Sequence, residues 1–320
     1  MYSRLSLMLI FLVITIISIA TSLLTENNAK CLCRVVVPDD VESINEAVSI
    51  VCNHGVIVIK EGLYNEEVHV DKPLTIEASG EAIILYPIYI SNTFNVNIKG
   101  ITVFIYPPGT DFGIVVYNSS RIKIENVKVE GTAIIIAKSS NIVIHKTLFS
   151  NCPGPSIYVI GDSSNIEVTE SIFNRTYMAL RVVKGKNVMF TRNVIFETTR
   201  AIRLDEEAEN VEIFLNNFYN RTECLDYGVS NSWFSKQLNL GNYWEQWVGK
   251  IGDRDGDGIL DSPISIKGKA HSVDLYPLAE PFEKYLSKIE SIGKLKFLIG
   301  LLATLVITFL LLIFLRKRSK

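Results

Sequence analysis

One short apolar pattern recurs six times between Asn95 and Phe218 and constrains the fold more than any other feature of the chain. Each copy has an aliphatic or aromatic residue at a first position, two residues later and seven residues later, and the first positions are 20 to 26 residues apart. A repeat of this period predicts a solenoid in which each copy contributes one full coil. The copies are Val96, Ile98, Val103; Ile122, Ile124, Val129; Ile142, Ile144, Phe149; Ile166, Val168, Phe173; Val188, Phe190, Ile195; and Val211, Ile213, Phe218.

The spacing inside each copy is that of a β-strand, because residues two positions apart point to the same face. A second apolar pair precedes each later copy, and polar pairs such as Ser119-Ser120 separate the two strands. Stacked coils of this kind bury one continuous core. We therefore predict an all-β parallel β-helix, and not a leucine-rich repeat, whose Leu-x-x-Leu-x-Leu frame is missing, or a β-sandwich. The second pairs are Ile114/Val116, Ile134/Ile136, Ile157/Val159, Leu180/Val182 and Ile202/Leu204.

A polar residue stands directly before the first position of every copy. It is Arg121 in one copy and asparagine in the other five, namely Asn95, Asn141, Asn165, Asn187 and Asn210. Asparagine tolerates the left-handed backbone conformation that tight turns require. The pattern predicts a turn at this point of each coil and a ladder of stacked asparagines.

Both ends of the chain carry targeting signals. Residues 1–20 combine Arg4 with a long apolar run and a small-x-small ending, which predicts a signal peptide cleaved after Ala20, with an uncleaved anchor as the alternative. Residues 297–315 are long enough to cross a ~30 Å hydrocarbon core, and a basic tail at 316–320 follows. We predict a single-pass cell-membrane protein with a cytoplasmic tail and an extracellular ectodomain.

The net charge bears on the class of ligand, and the cysteines bear on disulfide pairing. The net charge of −2 over 320 residues gives no basic excess for nucleic-acid binding. Of the five cysteines, Cys31 or Cys33 can pair with Cys52, and the odd number leaves at least one thiol without a partner in the chain. Cys152 and Cys224 lie about three coils apart, so a bond between them would need loops that bend toward each other.

Residues 34–78 are predicted to form an N-terminal cap and the first coils. An apolar stripe at 41–51 predicts a short helix, begun by Ser43 or Asp40, over the open end of the core. The stretch from Ile57 to Glu66, with the run at 72–76, resembles the opening coils of pectin-lyase-like right-handed β-helices. The six repeats resemble those of the NosD family and related carbohydrate-binding and sugar-hydrolase modules. The resemblance covers roughly residues 34–282 and implies a right-handed helix.

The repeat coils, assigned to residues 79–223, are followed by a predicted C-terminal cap at 224–282 and a stalk at 283–296. Three segments follow one another in this cap: Gly241 to Trp244, the Asp-rich run 253–261, and Val273 to Leu278. Their order resembles the C-terminal segment of NosD-like surface proteins.

The Asp-rich run also has the spacing of a calcium loop. Its carboxylates occupy positions 1, 3, 5 and 9, and Gly258 stands at position 6, where the loop turns sharply. Position 12 is Ile264, so the bidentate glutamate of an EF-hand is missing and the pattern is closer to weaker extracellular calcium loops. A solvated acidic turn without an ion is the alternative. The predicted ligands of a structural calcium ion are Asp253, Asp255, Asp257, the Ile259 carbonyl and Asp261.

Tyr243, Trp244 and Tyr276 are predicted to pack as the apolar plug of the cap, with stacking on sugar rings as the alternative. The Asp205–Glu207 carboxylates lie near arginines, which fits a solvated turn better than a general acid–base pair. The Gly-His-Gly motif of polygalacturonases and the Asp-Pro-His-Glu run of mannuronan epimerases are absent. We therefore expect no catalytic activity.

The NosD resemblance raises the question of copper, but the histidines and methionines that copper prefers are few and scattered. Three N-glycosylation sequons begin at Asn118, Asn174 and Asn220. The sequence thus predicts a non-catalytic surface module that binds glycans or cell-envelope components. The alternatives are a polysaccharide lyase or hydrolase, and a NosD-like accessory protein for a transporter or copper enzyme.

Overall fold

The computed structural model describes residues 31–105 and 112–288, which form an all-β parallel solenoid of about nine turns. Strands β1 to β22 pair in parallel with strands of neighbouring coils, while β23 and β24 form a separate antiparallel pair. This confirms the parallel β-helix architecture predicted from the repeat. The strands are β1 (Leu32–Val37), β2 (Val51–Tyr64), β3 (Val68–Val70), β4 (Leu74–Ile84), β5 (Ile88–Ser91), β6 (Phe94–Lys99), β7 (Thr102–Phe104), β8 (Ile114–Tyr117), β9 (Ser120–Glu125), β10 (Lys128–Glu130), β11 (Ile134–Ala137), β12 (Ser140–His145), β13 (Leu148–Ser150), β14 (Pro155–Ile160), β15 (Ser163–Thr169), β16 (Ile172–Asn174), β17 (Met178–Thr191), β18 (Val194–Phe196), β19 (Arg200–Phe214), β20 (Asn217–Phe218), β21 (Glu223–Asp226), β22 (Tyr243–Trp244), β23 (Ile264–Ser265) and β24 (Val273–Asp274).

The parallel strands stack into three ladders, here named sheets A, B and C. Sheet A contains β1, β6, β9, β12 and β15, with the starts of β2 and β4 and the ends of β17 and β19. Sheet B contains β7, β10, β13, β16, β18, β20 and β22, with the ends of β2 and β4. Sheet C contains β3, β5, β8, β11, β14 and β21, with the starts of β17 and β19.

The residues that the repeat pattern selected all lie in the core. All eighteen pattern residues and all ten residues of the second pairs are at most 1 % exposed. Aromatic residues at the same position of successive coils stack directly, with ring centres 4.8 Å apart for Phe149 and Phe173. Stacking continues beyond Phe218, because Trp244 of β22 pairs with it in register and its ring lies 4.3 Å away. The solenoid therefore extends one partial coil past the last copy of the pattern.

The predicted asparagine ladder is present at the start of the sheet A strands. All six residues before the first positions have left-handed backbone, with φ between 53° and 57°. Along the ladder, Asn165 donates to Asn141 (3.3 Å), Asn187 to Asn165 (3.1 Å) and Asn210 to Asn187 (3.4 Å). Arg121 joins it by donating to Asn95 at 2.6 Å. The arginine exception thus keeps both the backbone conformation and the contact.

Two further columns of polar side chains are buried at the corners of the coils, where the pattern gave no indication of them. Between sheets C and A, the backbone N–H of each coil donates to a serine hydroxyl of the next coil; these hydroxyls belong to Ser119, Ser139 and Ser163. Between sheets A and B a similar column contains Thr147, Ser171, Asn193, Asn216 and Asn242. Both columns provide acceptors for buried backbone N–H groups.

One short helix, α1 (Ile44–Ile50), lies next to the first strands, within the predicted range 41–51. Ser43 accepts a hydrogen bond from the backbone N–H of Glu46, and Glu66 accepts one from that of Ile44 at 2.8 Å. Glutamate at this point neutralises free N–H groups and the positive end of the helix dipole. This contact gives a physical reason for the glutamate at position 66.

The cysteine alternatives left open by the sequence are resolved in favour of Cys31, which forms a disulfide with Cys52. Cys33 is exposed, whereas Cys152 and Cys224 are buried as free thiols. Burial raises the pKa of Cys152 to about 11, and it also raises the pKa of Cys224. The two buried thiols are therefore protonated at neutral pH and act as small core residues.

At the other end, a 3₁₀ turn (Glu245–Trp247) follows β22, and residues 282–288 are helical. Within residues 31–105 and 112–288, no helix is long and apolar enough to cross a bilayer. The predicted signal peptide, most of the predicted stalk and the predicted membrane span lie outside the described residues.

Candidate functional site

The outward face of sheet C carries a row of aromatic and arginine side chains. Since alternate residues of a strand point to opposite faces, the residue between each inward pair lies on the outward face, although Ile135 on that face is only 6 % exposed. In register order this position holds Tyr89, Val115, Ile135, Tyr158, Arg181, Arg203 and Leu225. We name Tyr89, Tyr117, Tyr158, Arg181 and Arg203 the sheet C surface.

The arginines of this surface are held in fixed positions. Asp205 accepts hydrogen bonds from Arg181 Nε (2.9 Å) and Arg203 Nε (2.6 Å). The Arg181 guanidinium also lies over the Tyr158 ring, 5.5 Å from its centre, and Arg203 lies equally far from that of Tyr227. One carboxylate between two guanidinium groups leaves an excess of positive charge beside half-buried aromatic rings.

The N-terminal half of the same face is more aromatic. Tyr89 stacks on His69 with ring centres 5.1 Å apart and an interplanar angle of 12°. Tyr117 is 41 % exposed, and the Lys138 ammonium lies 5.6 Å from its ring centre. A cationic group thus lies over an aromatic ring at both Tyr117 and Tyr158 of this surface.

The predicted carboxylate cluster at 205–207 is distributed among separate ion pairs. Asp205 is held by the two arginines, Glu206 pairs with Lys269 at 3.1 Å, and Glu207 pairs with Lys184 at 3.1 Å. Glu206 and Glu207 are both exposed. The three carboxylates therefore belong to separate ion pairs at one corner of the coil.

The Asp-rich loop brings three of its four predicted carboxylates together. One oxygen each from Asp253, Asp255 and Asp257 lies within 4.8 Å of the others. Asp261 instead lies 3.3 Å from the backbone N–H and 3.5 Å from the guanidinium Nε of Arg254. The fourth carboxylate is therefore engaged outside the cluster.

Backbone contacts shape the loop and attach it to the end of the solenoid. Asp253 accepts hydrogen bonds from the N–H groups of Gly256 (2.8 Å) and Gly258 (3.0 Å). The Gly258 carbonyl accepts one from Ala279, and Leu260 donates to the Pro277 carbonyl. Gly258 has φ of 89°, and a Cβ there would lie 2.7 Å from the Tyr285 ring. The loop needs glycine at this position for both reasons.

The three aromatic residues predicted for the C-terminal cap differ in accessibility. Trp244 is 2 % exposed and Tyr243 is 7 % exposed, so neither offers a ring face to a sugar. Tyr276 is half-buried and contacts Phe234 edge to face at 5.3 Å. Trp244 and Tyr243 thus occupy packing positions.

The segments Gly241 to Trp244 and Val273 to Leu278 meet at a buried carboxylate that the sequence pattern did not indicate. Asp274 accepts hydrogen bonds through Oδ2 from the Asn242 backbone (2.9 Å) and Trp244 Nε1 (2.8 Å), and through Oδ1 from the Tyr276 N–H (3.2 Å). Burial raises its pKa to about 7, although these donors favour the charged form. A Cβ on Gly241 would lie 1.8 Å from Asp274 Oδ1, which explains the glycine before Asn242.

The donor set does not fit copper. Within the described residues, only Asp253, Asp255 and Asp257 form a group of three or more potential ligands close enough to hold a metal ion. Carboxylate oxygens are hard ligands that suit calcium or magnesium, whereas copper sites use imidazole, thiolate or thioether groups.

The three sequon asparagines lie in different surroundings. Asn118 and Asn220 are exposed, and Asn174 is partly buried. Asn118 donates to Asn92 at 2.8 Å, and the Asn220 N–H donates to Glu245 at 2.7 Å. Glycosylation of these residues stays a prediction.

Comparison with solved structures finds similar folds at low identity. The catalytic domain of a GH87 alpha-1,3-glucanase in complex with nigerose matches at a TM-score of 0.40 and 14 % identity, over 65 % of this chain and 46 % of that domain. An alginate lyase from Paenibacillus sp. str. FPU-7 matches at 0.37 and 12 %, over 58 % and 91 %. PfbA, a surface adhesin of Streptococcus pneumoniae, matches at 0.33 and 11 %, over 59 % and 74 %. The match thus spans less than half of the glucanase domain.

Comparison with curated proteins found no match. A family model does match: that of the periplasmic copper-binding protein NosD, over residues 42–249, which include helix α1, most of the coils and β22. The match covers well over half of the chain and contains the whole sheet C surface. The chain belongs to the NosD family.

Proposed function

We propose that this protein is a non-catalytic module that binds an acidic polysaccharide along the sheet C surface. The observation that carries the proposal is the register of Tyr158, Arg181 and Arg203 on successive coils of one face. An extended ligand can contact the same kind of side chain at each step of a solenoid.

The chemistry of the row indicates the class of ligand. Tyrosine rings offer flat apolar faces with a hydroxyl at the edge, which suits the mixed apolar and polar faces of a sugar. Guanidinium groups recognise carboxylates or sulfates through paired hydrogen bonds. Because Asp205 already fixes Arg181 and Arg203, less side-chain entropy is lost when a ligand binds.

Replacement of Tyr158 by alanine is expected to weaken binding of polygalacturonate to the full chain about tenfold, since it removes a ring face and the support of Arg181. Isothermal titration calorimetry with polygalacturonate and with a neutral glucan measures the effect. Binding of the acidic polymer should also weaken as salt is raised, because the attraction between charges is screened.

Phe94→Ala is the matched control, since Phe94 is 42 % exposed, lies on sheet A and also has an arginine over its ring. It should leave binding unchanged. Equal affinity of wild type and Tyr158→Ala for polygalacturonate, or equal affinity of wild type for acidic and neutral polymers, would contradict the proposal.

We also propose that the module stands outside the cell on a single C-terminal membrane span at residues 297–315, as the apolar run and basic tail suggest. In this arrangement the solenoid is right-handed, as in the pectin-lyase-like proteins it resembles. Helix α1 would cover the first coil with its apolar side, which contains the buried residues Ile44, Ala47 and Val48.

A structural calcium ion in the Asp-rich loop is a further part of this proposal. The proximity of Asp253, Asp255 and Asp257 supports it, because three carboxylates this close repel one another unless a cation lies between them. The bound ion would hold the loop against residues 277–279, where the chain leaves the solenoid. Its role would be structural.

Calcium at about twenty times its dissociation constant is expected to add about 2 kcal/mol to the free energy of unfolding. Thermal unfolding of the full chain in calcium and in chelator measures this as a rise in Tm. Asp255→Asn should abolish the rise, whereas Asp162→Asn, at an exposed carboxylate on a distant coil, should retain it. An identical Tm for wild type in calcium and in chelator would exclude the structural ion.

A further inference from the structure

A cavity of about 350 Å³ lies where sheet C meets the C-terminal segment. Its volume is at the lower end of the range of about 300–1,000 Å³ typical of small-ligand sites. Apolar side chains of Cys224, Ile264 and Ile266 line part of it, and Trp247 lines it with an indole that is 37 % exposed. Its polar lining comes mainly from Arg221, Thr222, Glu223, Gln246 and Lys267.

Two polar residues of this lining, Thr222 and Arg221, have polar groups without a partner among the described residues. Thr222 is 5 % exposed, and its buried Oγ1 has no hydrogen-bond partner among the described residues. An unpaired hydroxyl in a buried position is costly unless a ligand or water completes it. Arg221 is exposed and makes no ion pair or hydrogen bond within the described part of the chain. Both residues face the same small cavity.

The charge around the cavity favours an anion. Glu223 is already engaged by Lys267 at 2.8 Å and by Arg200 at 3.5 Å. Arg221 is left without a counterion, and the Lys250 ammonium lies 5.4 Å from the centre of the Trp247 ring. A carboxylated ligand would provide the missing partner for Arg221, while its apolar face packs against the indole.

The cavity also adjoins the sheet C surface. Arg200 pairs in register with Glu223 of the cavity, and its Nη1 donates a hydrogen bond to the Tyr177 hydroxyl at 3.0 Å. Lys267 of the cavity forms a β-bridge with Leu225, the last residue of the outward row. A polymer that follows the row toward the C-terminal coils would arrive with its end at this cavity.

We propose that the cavity is an end-recognition subsite that binds the terminal carboxylated sugar unit of the polysaccharide, with Trp247 and Arg221 as its ligand contacts. This rests on the proposed binding of an acidic polysaccharide to sheet C. The subsite would make the module selective for chain ends and short oligomers.

Titration of the full chain with D-galacturonate and with galactose tests the subsite alone. Trp247 is the most exposed of the three tryptophans, so saturable fluorescence quenching by galacturonate is expected, and calorimetry gives the affinity. Trp247→Ala and Arg221→Gln should each weaken galacturonate binding about tenfold or more. Arg192→Gln is the control, because Arg192 is an exposed arginine on the turn between β17 and β18.

Absence of galacturonate binding, equal binding of galactose, or unchanged affinity in Trp247→Ala would overturn the subsite. Polygalacturonate binding that depends on Tyr158 would still stand in that case, so the two proposals fail separately. Oligomers of galacturonate provide a second test. Short oligomers should bind Trp247→Ala more weakly than wild type, whereas long polymer should bind both proteins through sheet C.

Asn220 precedes Arg221, so a sugar attached to this asparagine is a second possible source of the same chemistry. The titration is repeated with Asn220→Gln. Equal binding by wild type and this variant supports a free ligand. Binding by the variant alone would mean that the cavity holds the protein's own glycan, and this would overturn end recognition.

Discussion

Replacement of Asp274 by alanine is expected to lower the free energy of unfolding by about 4 kcal/mol at pH 5. The substitution removes the acceptor of the buried N–H donors of Asn242 and Trp244 and of the part-buried backbone N–H of Tyr276. Each unsatisfied buried donor costs about 1–3 kcal/mol, and relaxation of the chain recovers part of the sum. Urea unfolding monitored by circular dichroism measures the loss.

The pH dependence of this difference tests the cause. The pKa of the Asp274 carboxyl is 3.8 in the ordinary state and about 7 in the folded protein. Between these values the folded state binds a proton that the unfolded state has released, so wild-type stability falls as pH rises from about 4 to about 7. The slope is at most about 1.4 kcal/mol per pH unit. Because the alanine variant lacks this group, the gap between the two proteins should narrow as pH approaches 7.

Asp71→Ala is the matched control, since Asp71 is an exposed carboxylate on the first coils. It should change stability by less than about 0.5 kcal/mol and leave the pH profile unaltered. A gap between wild type and Asp274→Ala that stays constant from pH 4 to pH 7 would contradict the assigned burial effect on the carboxyl. A gap near zero throughout would contradict its role as an acceptor.

The position of Asp274 gives a physical connection between the segments Gly241 to Trp244 and Val273 to Leu278. Asn242 of the first segment continues the buried column between sheets A and B, and its N–H points beyond the last coil. Asp274 Oδ2 accepts this N–H, so the carboxyl provides the acceptor at the end of the column. Gly241 leaves the space that Asp274 occupies.

The inward side of the solenoid was predictable from sequence because its period is strict. Residues such as Ile142, Ile144 and Phe149 stand at fixed intervals, and any chain that buries them must turn at the same places. The asparagine before each copy indicated the left-handed turn, since few residues adopt that backbone easily.

The outward row on sheet C was not predictable in the same way. Tyr158, Arg181 and Arg203 are 23 and 22 residues apart, and nothing in their own pattern shows that they stack. Their alignment depends on the register of β14, β17 and β19 and on turns of different lengths. The sequence contained one usable signal: each of these residues stands between two members of a buried pair.

The buried asparagine column was missed for a related reason. Asparagine near a turn is usually an exposed turn former, as Asn165 and Asn187 are. Asn193 and Asn216 follow the sheet A strands by two residues and have similar neighbours in sequence, yet both are 0 % exposed. The exposed asparagines stand at the start of the sheet A strands, whereas the buried ones lie at the corner between sheets A and B. Only this position in the coil distinguishes them.

Replacement of Asn216 by leucine is therefore expected to destabilise the protein by about 4 kcal/mol, despite the similar size of the side chains. Asn216 Oδ1 accepts from the Asn193 backbone at 3.0 Å, and its amide donates to the Phe190 carbonyl at 2.8 Å. Leucine removes both interactions and also the amide donor to Asn242 Oδ1, which then accepts only from the Asn216 backbone N–H. Because each coil depends on the next for these bonds, the loss should reduce the cooperativity of unfolding between the central coils and the C-terminal cap.

The contrast with the exposed ladder provides the test of this explanation. Asn165→Gly keeps the left-handed backbone and removes only solvent-accessible hydrogen bonds, so it should cost less than about 1 kcal/mol. Urea unfolding gives both free energies, and hydrogen exchange of the amides of β19 and β20 locates the damage, because exchange there should accelerate in Asn216→Leu alone. Equal destabilisation by the two substitutions would show that the asparagines act through turn formation. A larger loss in Asn216→Leu with faster exchange at the cap would show that the buried column joins the last coils into one cooperative unit.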